Sequence, residues 1–253
     1  MTTTSTSRFE NKIALITGGT SGMGLATARR LLSEGARLII TGRDAARLDA
    51  AVKQLDGGDR VLTVRADASR VADTRALADE VRARHGRLDV VFANAGVATF
   101  QPTVELTEAE FDRVVGSNLK GVLFTIQQTI PLLADDAAIV INASWTAHRG
   151  LPGAALYSAT KAAVHSLART LAAELGPRGI RVNSVSPGYI DTAMYRAAVP
   201  PAEEAAVAAR ILAGRAGTAD EVAGTVAFLA SNEAAYINGQ DLVIDGGLVA
   251  TAP

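Results

Sequence analysis

The sequence predicts a doubly wound α/β fold, a parallel sheet with helices on both faces, and three observations carry that prediction. Short apolar runs rich in β-branched residues recur along the 253 residues, and stretches with helical spacing lie between them, each about the length of a crossover. The first apolar run ends in a glycine-rich turn that opens at once into a helical stretch. Strands that alternate with helices are joined by right-handed crossovers, run parallel and divide their helices between the two faces of the sheet.

The apolar runs, in order, are "KIALIT" (12–17), "RLII" (37–40), "RVLTV" (60–64), "LDVVFA" (88–93), "AAIVIN" (137–142), "IRVNSVS" (180–186) and "DLVI" (241–244), which makes a seven-stranded sheet. The helical stretches are 24–35, 46–55, 71–86 and 162–176. No repeat, low-complexity tract or linker divides the chain, so residues 11–253 are expected to form one domain behind a flexible, polar N-terminus at 1–10. The "PP" at 200–201 marks a loop before one more helix.

Composition narrows the function. With 48% hydrophobic residues, 20% charged and a formal net charge of -1, the chain reads as soluble and has no basic excess to serve a nucleic acid or an anionic membrane. No apolar run reaches the roughly 18 residues of a spanning helix, and a cytoplasmic protein is expected. There is no cysteine, hence no disulfide, thiolate nucleophile or cysteine-based metal site. The three histidines are scattered without paired spacing, so no metal cluster is expected.

After the first run comes "TGGTSGMG" (17–24). A glycine-rich turn between a strand and a helix lets backbone N–H groups and the helix dipole meet a pyrophosphate beyond the carboxyl end of the sheet. Gly18, Gly22 and Gly24 are the glycines in play, and the absence of a Gly-Lys-Ser/Thr sequence disfavours phosphoryl transfer and favours a dinucleotide. Further on, "YSATK" places Tyr157 and Lys161 four positions apart. On a helix these share a face with Cβ atoms about 5–6 Å apart; by itself the pair reads equally well as an amphipathic side chain beside a solvated charge.

The turn, "ANAG" (93–96), "SNLKG" (117–121), Ser144, the Tyr157/Lys161 pair and "PG" (187–188) occur in this order. Together, from "KIALITGG" to "GQDLVIDGG", they resemble the short-chain dehydrogenase/reductase family. The resemblance implies a Rossmann-type fold, a nicotinamide dinucleotide and a tetrad of Asn118, Ser144, Tyr157 and Lys161. In that family the tyrosine is the proton donor, the lysine holds the nicotinamide ribose, the serine hydrogen-bonds the substrate oxygen and the asparagine maintains a water relay. A cation beside the phenol is also expected to draw its pKa down from near 10 toward working range.

The same resemblance assigns cofactor contacts. Gly18, Thr20, Ser21, Gly22, Met23 and Gly24 hold the phosphates, Asp67 and Ala68 meet the adenine, and Asn94 and Gly96 lie near the adenosine ribose. Pro187, Gly188, Ile190 and Thr192 hold the nicotinamide carboxamide. Where the second strand ends, an acidic residue would bind the ribose hydroxyls. Here Gly42 stands there with Arg43 after it, and the guanidinium fork suits a 2′-phosphate, so NADP(H) is preferred, with NAD(H) the alternative. Ser21 departs from the basic residue that many NADP(H)-using relatives carry in the turn.

Trp145, His148 and Leu151, with Tyr189, Met194 and Tyr195, are expected to line a rather apolar substrate pocket under a lid at 189–212. A small apolar ketone or secondary alcohol is the expected substrate, and a 3-oxoacyl group on a carrier protein is the runner-up. The region "QQTIPLLADD" (127–136) has no basic residue to dock an acidic carrier, although Arg169 and Arg178 lie near. An epimerase or dehydratase of this fold would usually be longer, and a dinucleotide-sensing regulator would be expected to lack part of the tetrad. The resemblance also implies a homotetramer.

Overall fold

The computed structural model describes residues 7–250. Seven strands form one sheet: β1 (Ile13–Ile16), β2 (Arg37–Gly42), β3 (Val61–Arg65), β4 (Leu88–Ala93), β5 (Leu133–Asn142), β6 (Arg181–Pro187) and β7 (Asp241–Ile244). Their order is β3-β2-β1-β4-β5-β6-β7 and every pairing is parallel. The winding reverses between β1 and β4, which opens a crevice at their carboxyl ends.

The helices are α1 (Gly22–Ser33), α2 (Ala45–Leu55), α3 (Val71–Arg84), α4 (Glu108–Val115), α5 (Gly121–Thr129), α6 (Ala155–Leu175), α7 (Ala193–Ala198), α8 (Glu204–Ala209) and α9 (Ala219–Ala230). Strand side chains alternate between two cores. Ala14, Ile16, Leu38 and Ile40 pack with Leu31 of α1, Leu48 of α2 and Val226 of α9. Ile13, Leu15, Ile39 and Val91 face the other way, onto Leu77 of α3, Ile126 of α5 and Val164 of α6. Burial on both faces is why the strands read as continuous apolar runs.

Three departures from the sequence reading have local causes. The expected flexible tail is anchored at Arg8 and Phe9. Phe9 is 1% exposed, its N–H donates to the Glu34 carbonyl at 3.0 Å, and Arg8 is clamped between Glu34 at 2.6 Å and Glu233 at 2.7 Å. Positions 1–6 of that expectation, and 251–253 of the domain, lie outside the described residues. Secondly, β5 begins at Leu133, ahead of the apolar run, and slips register against β4 between Leu88 and Val90; Asp136 takes φ 63 in the slipped segment. Thirdly, the stretch 108–129 is helical, α4 and α5 being joined by one π-helical turn at Gly116–Lys120. Among the described residues, no helix is long and apolar enough to cross a membrane.

Candidate active site

A cleft of about 890 Å³ runs along the carboxyl ends of the strands. Every site residue named from sequence lines it except Asn118, buried behind its wall, and His148, which faces elsewhere.

One end is built by the glycine turn. Gly18 and Gly22 take φ 66 and 51, backbone angles that a side chain disfavours. A Cβ on Gly24 would stand 2.3 Å from the Gly18 carbonyl oxygen and 2.7 Å from Asn94 Nδ2. Asn94 braces the turn: its Nδ2 donates to the carbonyls of Thr17 at 2.9 Å and Gly18 at 3.2 Å, and its Oδ1 accepts from Asn142 Nδ2 at 3.0 Å. Its side chain is therefore committed to the scaffold. The N-cap of α1, Ser21, makes no side-chain cap, and the first turn of this helix carries no acidic residue. The N-terminal N–H groups and the positive dipole end of α1 are thus left for an anion that the chain does not supply itself. A pyrophosphate fits that cradle.

Beyond the turn, three arginines line the cleft: Arg43, Arg47 and Arg65. Sequence reading reached only the first, because the others converge through the fold. Arg47 opens α2 under the Asp44 cap, whose Oδ1 accepts the Arg47 N–H at 3.0 Å. Arg65 ends β3 and donates through Nε to the Arg43 carbonyl at 3.0 Å. Asp67 does not cap α3, whose N-cap is Arg70. Its Oδ1 instead accepts from the N–H and Oγ of Ser69 at 3.0 and 2.8 Å, and the residue lines the cleft beside Ala68.

The other end carries the titratable groups. Ser144 follows β5 and is 4% exposed; its Oγ accepts from Thr146 N–H at 3.2 Å. Tyr157 and Lys161 lie on successive turns of α6, with the Lys161 ammonium 5.7 Å from the centre of the Tyr157 ring. Lys161 Nζ donates to the Asn142 carbonyl at 2.7 Å. Burial draws its pKa down from 10.5 to about 8. The phenol does not follow the sequence expectation: burial raises it, and a hydrogen bond with Ser144 opposes that in part. Desolvation of the phenolate outweighs the help of the Ser144 hydroxyl.

Asn118 is 0% exposed in the π turn. Its Oδ1 accepts from Val97 N–H at 2.8 Å, and its Nδ2 donates to the Val97 carbonyl at 2.9 Å and Thr160 Oγ1 at 3.2 Å. The extra residue of a π turn re-aims a side chain, and here it ties the loop after β4 to the residue preceding Lys161. Gly96 leaves the room: a Cβ there would lie 3.2 Å from Asn118 Oδ1 and 3.5 Å from Lys161 Nζ.

The upper wall is aromatic. Trp145 is 4% exposed and packs with Val199, Val207, Ile211 and Leu248 while its edge lines the cleft. Its ring is 5.3 Å from Tyr189, which is 6.0 Å from Tyr195. Leu151 and Met194 complete this side, and the loop after β4 adds Phe100, 5.7 Å from the Tyr157 ring. Phe100 went unread because it lies in a loop without periodicity. Pro187, Gly188, Ile190 and Thr192 border the cleft between its two ends. Ile190 is held by a parallel bridge to Gly217, and Thr192 Cγ2 would meet a Cβ on Gly22 at 3.2 Å.

Two expectations are corrected together. His148 is not a pocket residue: its Nε2 lies 2.8 Å from Asp241 Oδ2 and 3.2 Å from Ser186 Oγ, so the buried carboxylate draws the ring away from the cleft. Nor are all the histidines scattered, since His165 reaches the same carboxylate.

A family model described as enoyl-(acyl carrier protein) reductase matches residues 18–249. Levodione reductase of Leifsonia aquatica is 38% identical, covering 98% of this chain and 98% of its own. A 3-oxoacyl-(acyl-carrier-protein) reductase of Thermotoga maritima is 38% identical over 96% of this chain and 99% of its own. The solved structure of a short-chain dehydrogenase from Burkholderia cenocepacia in complex with NADP matches with a TM-score of 0.91 at 37% identity, covering 95% of this chain and 99% of that one. These names agree on oxidoreduction and differ on substrate.

Proposed function

The chain belongs to the short-chain dehydrogenase/reductase family of oxidoreductases, and from that premise we propose that it is an NADP(H)-dependent carbonyl reductase. Its substrate is a small, rather apolar ketone, or the corresponding secondary alcohol in reverse. The observation that carries this reading is one cleft with Ser144, Tyr157 and Lys161 at one end and an uncapped helix N-terminus beside three arginines at the other. Among the described residues none of Arg43, Arg47 and Arg65 forms an ion pair, which leaves their donors for a 2′-phosphate.

A bound nicotinamide dinucleotide supplies the hydride. The chain's own residues do the rest. Gly18, Thr20, Ser21, Gly22, Met23 and Gly24 would hold the phosphates, Asp67 and Ala68 the adenine, and Pro187, Gly188, Ile190 and Thr192 the carboxamide. Ser144 Oγ holds the carbonyl oxygen of the substrate. Tyr157, kept protonated by its burial, gives that oxygen its proton. Lys161, with a pKa of about 8, steadies the phenolate left behind and can return a proton near neutral pH. Asn118 acts by position, through Thr160. We read 11–253 as one catalytic unit with 189–212 as its lid, and the assembly as a homotetramer that uses the outer edge of β7, where Val243 is 38% exposed.

A carrier-bound 3-oxoacyl thioester is the second reading, favoured by the Thermotoga maritima relative. The surface argues against it. Arg178, which could have offset the acidic rim at Asp135 and Asp136, already donates to Asp135 at 3.2 Å and to the carbonyls of Ile130 and Leu133. Rates of NADPH and NADH consumption across free alicyclic and aromatic ketones, sugars and a carrier-bound thioester test the proposal. A preference for the carrier-bound substrate that falls with added salt defeats the substrate assignment, and no turnover with any carbonyl defeats the function.

A further inference from the structure

His148, His165 and Asp241 come from three separate parts of the fold. His148 lies four residues past Ser144, His165 four residues past Lys161 on α6, and Asp241 opens β7. Each presents one ligand atom, and these atoms all lie within 4.8 Å of one another. We propose that these three side chains form a binding site for a divalent transition-metal cation, zinc being the best fit.

The spacing supports this. Ligands held about 2.0–2.1 Å from a tetrahedral zinc stand roughly 3.3 Å apart. Asp241 Oδ2 is 2.8 Å from His148 Nε2 and 3.8 Å from His165 Nδ1, so adjustments of about half an ångström bring each nitrogen to the required distance from the carboxylate, and the two nitrogens lie within 4.8 Å of each other. Charge supports it as well. The Asp241 side chain is 4% exposed, and among the described residues no lysine or arginine lies within ion-pair distance of it, only the two histidines. A buried carboxylate without a permanent cation beside it is a costly arrangement that a dication relieves.

The outer shell is in place too. Ser184 Oγ donates to Asp241 Oδ1, which fixes the carboxylate and leaves Oδ2 to face the imidazoles, as the supporting partners of metal ligands do. Two imidazole nitrogens and one carboxylate oxygen, with no thiolate, suit zinc, cobalt or nickel better than magnesium or calcium. The histidine side chains are 28% and 21% exposed, giving a cation a way in from solvent and leaving its fourth position to water. A cation bound there would tie the loop after Ser144 to α6 and to β7, bracing the catalytic residues from behind.

Tag-free protein stripped with a chelator and titrated with zinc sulfate by calorimetry should bind one equivalent per chain. Cobalt as a substitute should give the visible bands of a four-coordinate site. His148→Ala, His165→Ala and Asp241→Asn should each weaken binding by more than the 10–100-fold, roughly, that loss of an outer-shell partner produces. His85→Ala, remote from the cluster, should bind as wild type does. Circular dichroism identifies any variant that has not folded, and the isosteric Asp241→Asn keeps the test decisive if an alanine variant fails. No uptake of zinc by the wild type at micromolar concentrations, or uptake that survives in the folded variants, overturns the proposal.

Discussion

Replacing Lys161 with methionine should abolish turnover while leaving the cofactor-free protein at least as stable as the wild type at pH 7. Lys161 is 4% exposed and titrates at about 8 in place of 10.5, a displacement that destabilises the folded state by about 3 kcal/mol at neutral pH. Methionine removes that penalty and keeps most of the packing of the stem. Against this, the Asn142 carbonyl loses its donor at 2.7 Å, which costs about 1–3 kcal/mol for a buried acceptor. The balance is a gain of about 0–2 kcal/mol.

The folded chain holds this proton less tightly than the unfolded one. The wild type therefore carries the full penalty below about pH 8 and recovers stability as the pH rises from about 8 toward 10.5. Urea denaturation of both proteins at pH 7 and pH 10 reads the two effects separately. The variant should hold its advantage at pH 7 and lose it at pH 10. A variant clearly less stable than the wild type at pH 7, or a difference between the proteins that ignores pH, refutes the reasoning.

Tyr157→Phe should lower kcat by about 10²–10⁴-fold with NADPH affinity little changed, as steady-state kinetics and a fluorescence titration would show; a variant retaining a tenth or so of wild-type kcat excludes the phenol as the acid. Arg43 is exposed, so water screens it and the low end of a charge-assisted contact applies. Arg43→Ala should weaken NADPH by about tenfold and NADH hardly at all, and equal affinity of the wild type for both dinucleotides would sink the assignment. Gly24→Ala forces a methyl to 2.3 Å from the Gly18 carbonyl oxygen; the overpacking should cost about 1–3 kcal/mol and depress dinucleotide affinity more than it depresses the unfolding midpoint, by calorimetry and thermal denaturation.

Much of the fold was legible because buried parallel strands advertise themselves. Each of the seven apolar runs is a strand, and β4 and β7 match theirs residue for residue. The stretch 108–129 was not read because Gly116 and Gly121 interrupt its helical spacing, and nothing local marks the π turn between them. The start of β5 was missed because "LADD" carries no strand pattern; its pairing is imposed by β4. At the site, the glycine turn follows from short-range spacing, and the tetrad positions from the ordered motifs that carry the family resemblance. Arg47, Arg65 and Phe100 do not, since only the packed fold brings the start of α2, the end of β3 and the loop after β4 to one cleft. The histidine cluster hides for the same reason, its members being 17 and 76 positions apart along the chain.

Thr192 Cγ2 stands 3.2 Å from where a Cβ on Gly22 would be, so the wall that follows β6 and the glycine turn face each other across a gap that a single side chain would fill. That narrow gap bears on the order in which ligands arrive. On the function proposed above, a dinucleotide seated on the turn would complete the wall that a carbonyl substrate meets, so the dinucleotide should bind first and leave last. In product-inhibition experiments, oxidised dinucleotide should then compete with NADPH, while the alcohol product should compete with neither substrate outright.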